Sequence, residues 1–424
     1  MIKLVWHTEK RKIKNLVPYD KNPRKISVQK NNELKEGIEY FNVVEIPAID
    51  VDNKIIAGHQ RANALLQLGR GEELIDVRVP NRKLTADEFR KYNLISNRIT
   101  GEWDYELLKN FDIETLLESG FDDSDLGHIW DENLGVEDDE FDVEKELKKI
   151  EKPKTRMGDL FGMGAHRLLC ADSLVPDNVQ KLVRKDLVNM LYFDSPYNIG
   201  LNYDNGVGTK GKYGGKKTKD NKNEADYRKF ISKILKNGLE HAAPDCHIFN
   251  WCDETFIGLV QDIYTELGID NKRVCLWIKN NANMTPQIAF NKVYEPCVYG
   301  VRGKPYLAEK VTNINEVLNK EIGTGNRVPD DILDLLNIWL ARRVAGQEYE
   351  HPTEKPVTLH EKPLRRCTKP GNIVLDLYGG SGSTLIACEQ LKRRAFLCEI
   401  EPVFCDLIIR RYEKLTGRKA KKCK

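Results

Sequence analysis

The sequence predicts an α/β protein in which a mainly parallel, doubly wound sheet follows a smaller α+β unit. The chain has 424 residues, more than one hydrophobic core usually holds, so we expect at least two domains. After residue 155, apolar runs alternate with helical segments, as expected of strands covered by crossover helices. Before residue 100, strand and helix patterns are mixed within a much shorter stretch.

The first ninety residues predict a small α+β domain. The helical pattern RANALLQLG lies among three apolar runs that have the length of strands: VVEIPAIDVD, KIIAG and LIDVRVP. Residues 91–134 have helical spacing and predict a helical appendage to this domain. Thr85 followed by Glu88 has the pattern of a capping box at a helix start, and Gly120 fits a helix end.

A domain boundary is expected at residues 135–155. This segment is acidic and then basic, with few large apolar residues, which is typical of a linker or a solvated helix. The second domain then covers residues 156–418. Its apolar runs, which we interpret as strands, are LVNMLYFD, HIFNW, VCLWIK, CVYGV, NIVLDLYGG and RAFLCEI.

Composition excludes several classes of protein. The formal net charge is +2, from 67 basic and 65 acidic residues, so any surface for a polyanion must be local. Ten cysteines without a C-x-x-C pair indicate reduced thiols and no zinc site. No apolar stretch has the length of a membrane span, and the N-terminal residues are charged where a signal peptide is apolar. We expect a cytoplasmic protein without a metal.

Residues 373–384, IVLDLYGGSGST, predict a strand, a glycine turn and a helix start. Ligands of open α/β sheets bind beyond the carboxyl ends of the strands, where glycines let the backbone approach them. Glu399 ends the next apolar run, at the position from which an acidic group meets ribose hydroxyls. The turn has neither the lysine of a P-loop nor a G-x-G-x-x-G pattern, so phosphate is disfavoured. A ligand that contains a nucleoside is expected.

Residues 194–197, Asp-Ser-Pro-Tyr, follow another apolar strand and have the chemistry of an amine-activating site. An exocyclic amine on a base is a weak nucleophile because its lone pair is delocalised into the ring. Asp194 and the carbonyl of Ser195 can accept its hydrogens, and Tyr197 offers a flat face to a base flipped out of the duplex. Taken alone, the four residues also fit an ordinary turn at the end of a strand.

Together these motifs resemble those of amino-directed DNA methyltransferases that use S-adenosyl-L-methionine. DLYGGSGST is similar to their D-x-F-x-G-x-G-T loop, and DSPY to their D-P-P-Y motif, with Ser195 in place of the first proline. HPTEKPV at 351–357 is similar to their segment around the methionine part of the cofactor, and residues 157–173 to their entry hairpin. The resemblance implies a Rossmann-like sheet with catalytic residues Asp194, Ser195, Pro196 and Tyr197. The cofactor contacts that it implies are Asp172, Thr353, Lys355, Asp376, Tyr378, Gly380, Ser381, Gly382, Thr384 and Glu399.

The order of the motifs resembles the permuted β group of this family, because the catalytic tetrapeptide precedes the cofactor loop. The target-recognition region would then lie at about 303–347. Cys297 lies in a strand-like segment, YEPCVYG, and is expected to be a buried thiol. DNA contacts are expected from lysines in the loop after Tyr197 and from arginines of the recognition region: Lys212, Lys216, Lys217, Arg342 and Arg343. A solvated lysine loop without a partner is the alternative.

In the first unit, IIAGHQRANALLQLG resembles the G-H-x-R box of ParB-like domains. Gly58, His59, Gln60 and Arg61 would then form a nucleotide site at a helix start. The alternative, which the residues leave equally open, is that His59 and Arg61 only brace the turn.

We therefore expect an enzyme that methylates the N6 amine of adenine in double-stranded DNA, as a monomer or homodimer, in a restriction-modification or solitary context. An aspartate at position 194 is the form that the resemblance associates with adenine. Three alternatives stay open: N4-cytosine methylation, methylation of RNA or protein, and a DNA-binding regulator with an inactive methyltransferase fold.

Overall fold

A computed structural model of the chain describes residues 4–25, 28–97, 102–103, 105–130, 134–200, 220–279, 289–308, 336–341 and 355–423. The chain divides into two compact units, Met1–Asp131 and Glu132–Lys424. No helix among the described residues is both long and apolar enough to span a membrane.

The first unit contains a four-stranded sheet with helices around it, as the sequence predicts. The sheet has the strand order β1-β5-β3-β4, in which β3 is parallel to β5 and the other pairs are antiparallel. The four strands of this sheet are β1 (Trp6–Lys12), β3 (Ala48–Ile49), β4 (Ile55–Ala57) and β5 (Leu74–Pro80). Two further strands of the unit, β2 (Arg24–Lys25) and β6 (Glu102–Trp103), lie outside this sheet. The helices are α1 (Val28–Phe41), α2 (His59–Gln67), α3 (Ala86–Asn97), α4 (Tyr105–Leu108), α5 (Ile113–Glu118) and α6 (Asp123–Ile129), with a 3-10 turn at Ile13–Asn15.

Local signals of the helical appendage are confirmed. Thr85 and Glu88 form the capping box: Glu88 N donates to Thr85 Oγ1 at 3.2 Å, and Thr85 N donates to Glu88 Oε2 at 2.9 Å. Gly120 follows α5 with a φ of +91°, a conformation that favours glycine after a helix.

The second unit is built on a sheet that has ten strands within the described residues, in the order β13-β11-β12-β10-β9-β14-β15-β8-β7-β16. Its strands are β7 (Leu160–Met163), β8 (His166–Cys170), β9 (Val188–Phe193), β10 (Ala242–Trp251), β11 (Asp270–Ile278), β12 (Tyr294–Arg302), β13 (Ile338–Leu340), β14 (Ile373–Asp376), β15 (Arg394–Glu399) and β16 (Lys421–Lys422). Its described helices are α7 (Val143–Lys148), α8 (Pro176–Val183), α9 (Glu224–Leu239), α10 (Ile257–Glu266), α11 (Glu361–Cys367), α12 (Ser383–Gln390) and α13 (Pro402–Thr416), with 3-10 turns at Glu254–Phe256 and Val357–His360.

The centre of this sheet is parallel, as predicted, antiparallel pairs flank it on both sides, and the end strand β13 is parallel to β11. Strands β10, β9, β14, β15 and β8 are parallel neighbours. Strand β12 is antiparallel to both of its neighbours, and β7 and β8 form the predicted entry hairpin. Alternate residues of the central strands pack into two cores on opposite faces: Met190 and Tyr192 into one, Leu191 and Phe193 into the other. Both faces are therefore covered, which explains the apolar runs in the sequence.

The segment expected to be a linker, residues 135–155, lies instead within the second unit. The buried side chains of Phe141, Val143 and Leu147 pack against Leu407 of α13. Asp139 forms a buried ion pair with Arg411, at 2.7 and 2.8 Å, and the carboxylate of Asp406 accepts backbone N–H groups from residues 154 and 155. One of the acidic residues that suggested a solvated linker, Asp139, is therefore the buried partner of an arginine in the distant helix α13. For this reason composition alone misplaced the boundary.

All ten cysteines lie in the described part of the chain and are unpaired, in agreement with the prediction of reduced thiols. Cys297 is fully buried in β12, as predicted. In the same described residues no group of three or more His, Cys, Asp or Glu side chains is arranged to hold a metal ion.

Candidate active site

The two predicted motifs leave the sheet at the same edge. Strands β9 and β14 are parallel neighbours, with Met190 paired to Val374 and Leu191 to Leu375. Asp194 therefore follows β9 close to where Asp376 ends β14. Since β14, β15 and β8 are also parallel, the carboxyl end of β15 lies at this edge too. Sequence reasoning predicted this meeting point because it follows from parallel pairing.

The carboxylate of Asp194 is held by one of its two oxygens. Lys355 places its ammonium nitrogen 2.6 Å from Asp194 Oδ1, and the hydroxyl of Tyr197 lies 3.1 Å from the same oxygen. The Asp194 side chain keeps 29% of its surface exposed, whereas that of Lys355 keeps 5%. Both of these contacts are therefore made to the same oxygen of the carboxylate, Oδ1.

Two residues that sequence reasoning did not single out, Glu295 and Lys279, complete this network. Glu295 on β12 places Oε2 3.1 Å from the Tyr197 hydroxyl and 3.5 Å from the Lys355 nitrogen. Its other oxygen, Oε1, forms an ion pair with Lys279, which follows β11. Lys355 also donates to the Tyr197 hydroxyl at 2.9 Å, so its three hydrogens face three oxygens. Asp194, Lys355, Glu295 and Lys279 form a chain of alternating charges. A carboxylate inside the otherwise apolar segment YEPCVYG was the available signal.

Burial and neighbouring charges set the protonation of this network. Burial raises the pKa of Asp194, and repulsion from Glu295 adds to the rise, while Lys355 and Tyr197 oppose it. Burial disfavours the charged form of Lys355, but the two carboxylates outweigh this and raise its pKa. Burial also acts to raise the pKa of Glu295, yet Lys355 and Lys279 bring it below its ordinary value. Lys355 is therefore a cation, and Glu295 an anion, at neutral pH.

The glycine turn after β14 is shaped by glycine conformations and by Glu399. Gly380 and Gly382 have φ values of +50° and +82°, and Gly382 begins α12. A Cβ atom on Gly382 would lie 3.1 Å from Ile408, whereas one on Gly380 would meet nothing closer than 3.8 Å. Glu399 accepts the N–H of Gly380 at 2.9 Å and that of Glu401 at 2.8 Å, which ties β15 to the turn.

The carboxyl groups beside this turn are strongly perturbed. Burial raises the pKa of Asp376 to about 8, although Asp376 Oδ1 accepts the N–H of Tyr378 at 3.0 Å. Burial also raises the pKa of Glu399 to about 7. Asp376 and Glu399 are thus buried acids whose pKa values lie near neutral pH, and they lie beside the open side of Gly380. Such a site suits a ligand that donates hydrogen bonds or carries positive charge.

The remaining predicted cofactor residues in the described part of the chain lie around the same turn. Asp172 follows β8, and its carboxylate accepts the N–H of Leu174 at 2.9 Å. Thr384 is buried in the first turn of α12. Arg411 donates to the carbonyl and hydroxyl oxygens of Ser381 at 3.1 and 3.2 Å, so this serine is braced from α13.

A further residue that the sequence did not reveal, His360, links three segments of the site. Its Nδ1 lies 3.0 Å from the hydroxyl of Tyr192 on β9, and its Nε2 lies 2.9 Å from Ser383 Oγ at the start of α12. His360 itself ends the 3-10 turn that follows Lys355. Burial lowers the pKa of His360 to about 3, with smaller contributions from Lys355 and Arg411, so the ring is neutral. The catalytic strand, the glycine turn and the Lys355 segment are therefore joined through one imidazole.

The lysine loop after Tyr197 is closed at its base. Asn198 N and Ile199 N donate to the two oxygens of Asp220, at 2.6 and 3.2 Å, and Lys222 N donates to Asn198 Oδ1 at 2.6 Å. The predicted contacts that lie outside the described residues are Lys212, Lys216, Lys217, Arg342, Arg343 and Thr353. Most of the expected recognition region, 303–347, also lies outside them. Its described part includes β13, which pairs with β11 and places the buried Trp339 in the core.

In the first unit, Gly58, His59, Gln60 and Arg61 meet at the start of α2. Gly58 has a φ of +94°, and a Cβ atom there would lie 3.0 Å from Pro47. His59 Nε2 accepts the N–H of Tyr19 at 3.2 Å, and Arg61 forms an ion pair with Glu45. Burial lowers the pKa of His59 to about 4, so it is neutral at pH 7. These contacts brace the turn from within the first unit.

Comparison with known proteins gives the second unit a family. The profile N6_N4_Mtase, described as DNA methylase, matches residues 188–410. The Type II methyltransferase M.HpaI of Haemophilus parainfluenzae is 22% identical over 249 residues, 57% of this chain and 72% of that protein. The DNA adenine methyltransferase YhdJ of Escherichia coli is 23% identical over 279 residues, 60% of this chain and 84% of that protein.

Two solved structures match shares of the chain at low similarity. The crystal structure of the M1.HpyAVI-SAM complex is 20% identical, with a TM-score of 0.40, over 57% of this chain and 96% of that chain. The C2221 form of a Pnob8-like ParB-N domain is 16% identical, with a TM-score of 0.22, over 26% of this chain and 44% of that chain.

Proposed function

The chain belongs to the N6_N4_Mtase family of DNA methylases, and from this premise we propose that it transfers a methyl group from S-adenosyl-L-methionine to the N6 amine of adenine in double-stranded DNA. The observation that carries the proposal is the state of Asp194. Lys355 and Tyr197 both contact its Oδ1, so Oδ2 takes no part in these two contacts. A carboxylate held in this way has a fixed acceptor for an amine hydrogen.

The glycine turn fits the cofactor that this reaction needs. The open side of Gly380 leaves room beside the turn, and Glu399 has further lone pairs for ribose hydroxyls after it accepts two backbone N–H groups. Burial raises the pKa of Asp376 to about 8 and that of Glu399 to about 7, and a bound cation beside them would favour their ionised, negatively charged forms. When bound, S-adenosyl-L-methionine supplies an electrophilic methyl group. The residues that would hold it are Asp172, Thr353, Asp376, Tyr378, Gly380, Ser381, Gly382, Thr384 and Glu399.

The chain's own residues would activate the amine in two ways. Asp194 Oδ2 and the carbonyl of Ser195 accept the two amine hydrogens and so localise the nitrogen lone pair, while Tyr197 stacks on the flipped base. When the nitrogen forms its bond to the methyl carbon, it becomes cationic and must lose a proton. Asp194 is placed to take it, because burial raises its pKa above that of an ordinary aspartate.

Lys355 was expected to contact the methionine part of the cofactor, and its contacts add a second role. Because its ammonium lies on Asp194 Oδ1, we propose that it holds the acceptor carboxylate in place. A cation between the catalytic aspartate and Glu295 also keeps the two carboxylates from repelling each other.

For the first unit we propose a ParB-like domain of the permuted, β-group enzyme, with a turn at Gly58–Arg61 that is braced from within the unit. The bond from Tyr19 to His59 and the ion pair of Arg61 with Glu45 support bracing over nucleotide binding. Titration of the full chain with nucleoside triphosphates would test this proposal. We expect no saturable binding at this turn; saturable binding that is lost in Arg61→Ala would contradict it.

The direct test of the proposed function offers purified protein and isotope-labelled S-adenosyl-L-methionine to duplex DNA, RNA and protein in parallel. Mass spectrometry of the hydrolysed products should find label in N6-methyladenine from DNA. Label in N4-methylcytosine would show that the target base is cytosine and not adenine. Label in RNA or protein would show that the substrate is not DNA. Binding of cofactor and DNA without any methyl transfer would favour a DNA-binding regulator with an inactive methyltransferase fold.

A further inference from the structure

We propose that Glu295 is a positioning residue for methyl transfer: through Lys355 and Tyr197 it confines the contacts on Asp194 to Oδ1, so that Oδ2 stays available to the amine. The inference rests on the proposed function and adds to it a residue that does not touch the substrate. Glu295 lies on β12, places Oε2 3.5 Å from the Lys355 nitrogen that also contacts Asp194, and keeps 14% of its side chain exposed.

The first step of the argument concerns the Lys355 ammonium. It lies 2.6 Å from Asp194 Oδ1 and 3.5 Å from Glu295 Oε2. An ammonium beside a single buried carboxylate gains most by bridging both of its oxygens, since nothing else solvates it. A second carboxylate draws the cation to one side. Glu295 therefore prevents Lys355 from covering the oxygen that the amine needs.

The second step concerns the Tyr197 hydroxyl. It lies 3.1 Å from both Asp194 Oδ1 and Glu295 Oε2, and it accepts a hydrogen from Lys355 at 2.9 Å. A phenol has one hydrogen to donate, so the two carboxylates share it. Glu295 thus restrains the end of the aromatic ring whose face is proposed to stack on the flipped base.

The third step is that Glu295 is itself rigidly placed. Its backbone pairs with Trp277 of β11, and its Oε1 forms an ion pair with Lys279 at the end of that strand. Positioning from a paired strand is more precise than positioning from a loop. Lys279 offsets part of the charge of Glu295, which lowers the cost of placing a second carboxylate beside Asp194.

A matched control lies on the neighbouring strand end. Glu254 also accepts a tyrosine hydroxyl, that of Tyr294 at 2.5 Å, and pairs with an ammonium, that of Lys292 at 3.7 Å. Its side chain is 43% exposed. Glu254→Gln therefore removes the same kind of contacts without touching the Asp194 network.

The test compares wild type, Glu295→Gln, Lys355→Met, their double variant and Glu254→Gln as purified full-length chains on duplex DNA. We expect Glu295→Gln to lower kcat by about ten- to a hundredfold, with cofactor Kd within about twofold of wild type. Glu254→Gln should match wild type. In the Lys355→Met background, the further loss from Glu295→Gln should be several-fold smaller than in wild type, because one of the two contacts through which Glu295 acts is then absent.

A pH profile separates positioning from a general loss of structure. The titratable groups that interact with Asp194 are Lys355, Tyr197, Glu295, Asp376, Tyr192 and Cys297. Those that interact with Glu295 are Lys279, Lys355 and Tyr197. Removal of the Glu295 charge takes away a repulsion that raises the pKa of Asp194. The acidic limb of kcat should therefore move to lower pH in Glu295→Gln and stay in place in Glu254→Gln.

If Glu295→Gln does not fold, Glu295→Asp takes its place, since it keeps the charge and withdraws the carboxylate from Lys355 and Tyr197; a loss of kcat of the same sign is expected. If the wild type is active and Glu295→Gln has the same kcat, the inference about Glu295 is overturned while the proposed function stands. The same holds if the losses of kcat from Glu295→Gln and Lys355→Met are fully additive. A wild type that transfers no methyl group to DNA would overturn the proposed function, and this inference with it.

Discussion

Lys355 and Tyr197 meet on the same oxygen of Asp194. The ammonium of Lys355 lies 2.6 Å from Oδ1 and the hydroxyl of Tyr197 lies 3.1 Å from it, although the two residues come from segments far apart in the chain. A carboxylate that is anchored by one oxygen presents the other in a fixed direction. This relationship supports both the proposed chemistry and the first prediction below.

Lys355→Met is expected to destabilise the protein by about 3 kcal/mol at neutral pH, because it leaves two partly buried carboxylates without their shared cation. The pKa of Asp194 and of Glu295 should then rise, so the deficit should shrink as pH falls from 7 towards 5. Urea unfolding at several pH values measures both effects. Lys292→Met, which removes a 34% exposed partner of Asp253, serves as the control and should lower stability by about 1 kcal/mol or less. Equal losses in the two variants would contradict this prediction.

Asp376 is expected to make stability fall as pH rises from the ordinary pKa of an aspartate to about 8. Its pKa is raised to about 8 in the folded protein, so the folded state takes up a proton that the unfolded chain releases at lower pH. The resulting stabilisation is complete below the ordinary pKa of an aspartate and is lost as pH rises through about 8. Urea unfolding between pH 5 and pH 9 should therefore show a smaller fall for Asp376→Asn than for wild type. Parallel curves would show that Asp376 does not titrate in this range.

Glu399→Gln and Asp376→Ala are expected to weaken cofactor binding by about ten- to a hundredfold, the loss expected when a hydrogen bond to a charged group is removed. Calorimetric titration with S-adenosyl-L-methionine provides the measurement. Asp194→Ala is the matched control, because its carboxylate lies at the same edge of the sheet but is assigned to the amine. If Asp194→Ala lost binding as much as Glu399→Gln did, the division of the site into cofactor and substrate halves would be wrong.

His360→Leu is expected to lower stability by about 2–4 kcal/mol, since it leaves the hydroxyls of Tyr192 and Ser383 buried without their partner. In a Ser383→Ala background the loss should be smaller, because only one orphaned hydroxyl then remains. Thermal or urea unfolding of the four proteins gives the coupling directly. Additive losses would indicate that His360 contributes by packing alone.

The parts of the site that could be predicted from the sequence are those that depend on local order. DSPY and DLYGGSGST each follow a run of buried strand residues, and parallel pairing of β9 with β14 brings them to one edge. The capping box at Thr85 was predictable for the same reason, since its two residues contact each other within one turn.

The parts of the site that could not be predicted depend on antiparallel strand pairing and on contacts between residues far apart in the sequence. Glu295 reaches Tyr197 only because β12 pairs with β10 and β11 in antiparallel order, which nothing in its own segment specifies. His360 joins strands and turns that are separated by many elements. The expected linker was misplaced because the partner of Asp139, Arg411, lies 272 residues away.

The most direct test of the central claim is sequencing with methylation detection on DNA from cells that express either wild type or Asp194→Ala. The account predicts N6-methyladenine at a defined sequence with the wild-type chain and none with the variant, while the purified variant still binds S-adenosyl-L-methionine. Methylation of the same positions by Asp194→Ala would contradict the account, because the amine would then be activated without the carboxylate that Lys355 and Tyr197 hold.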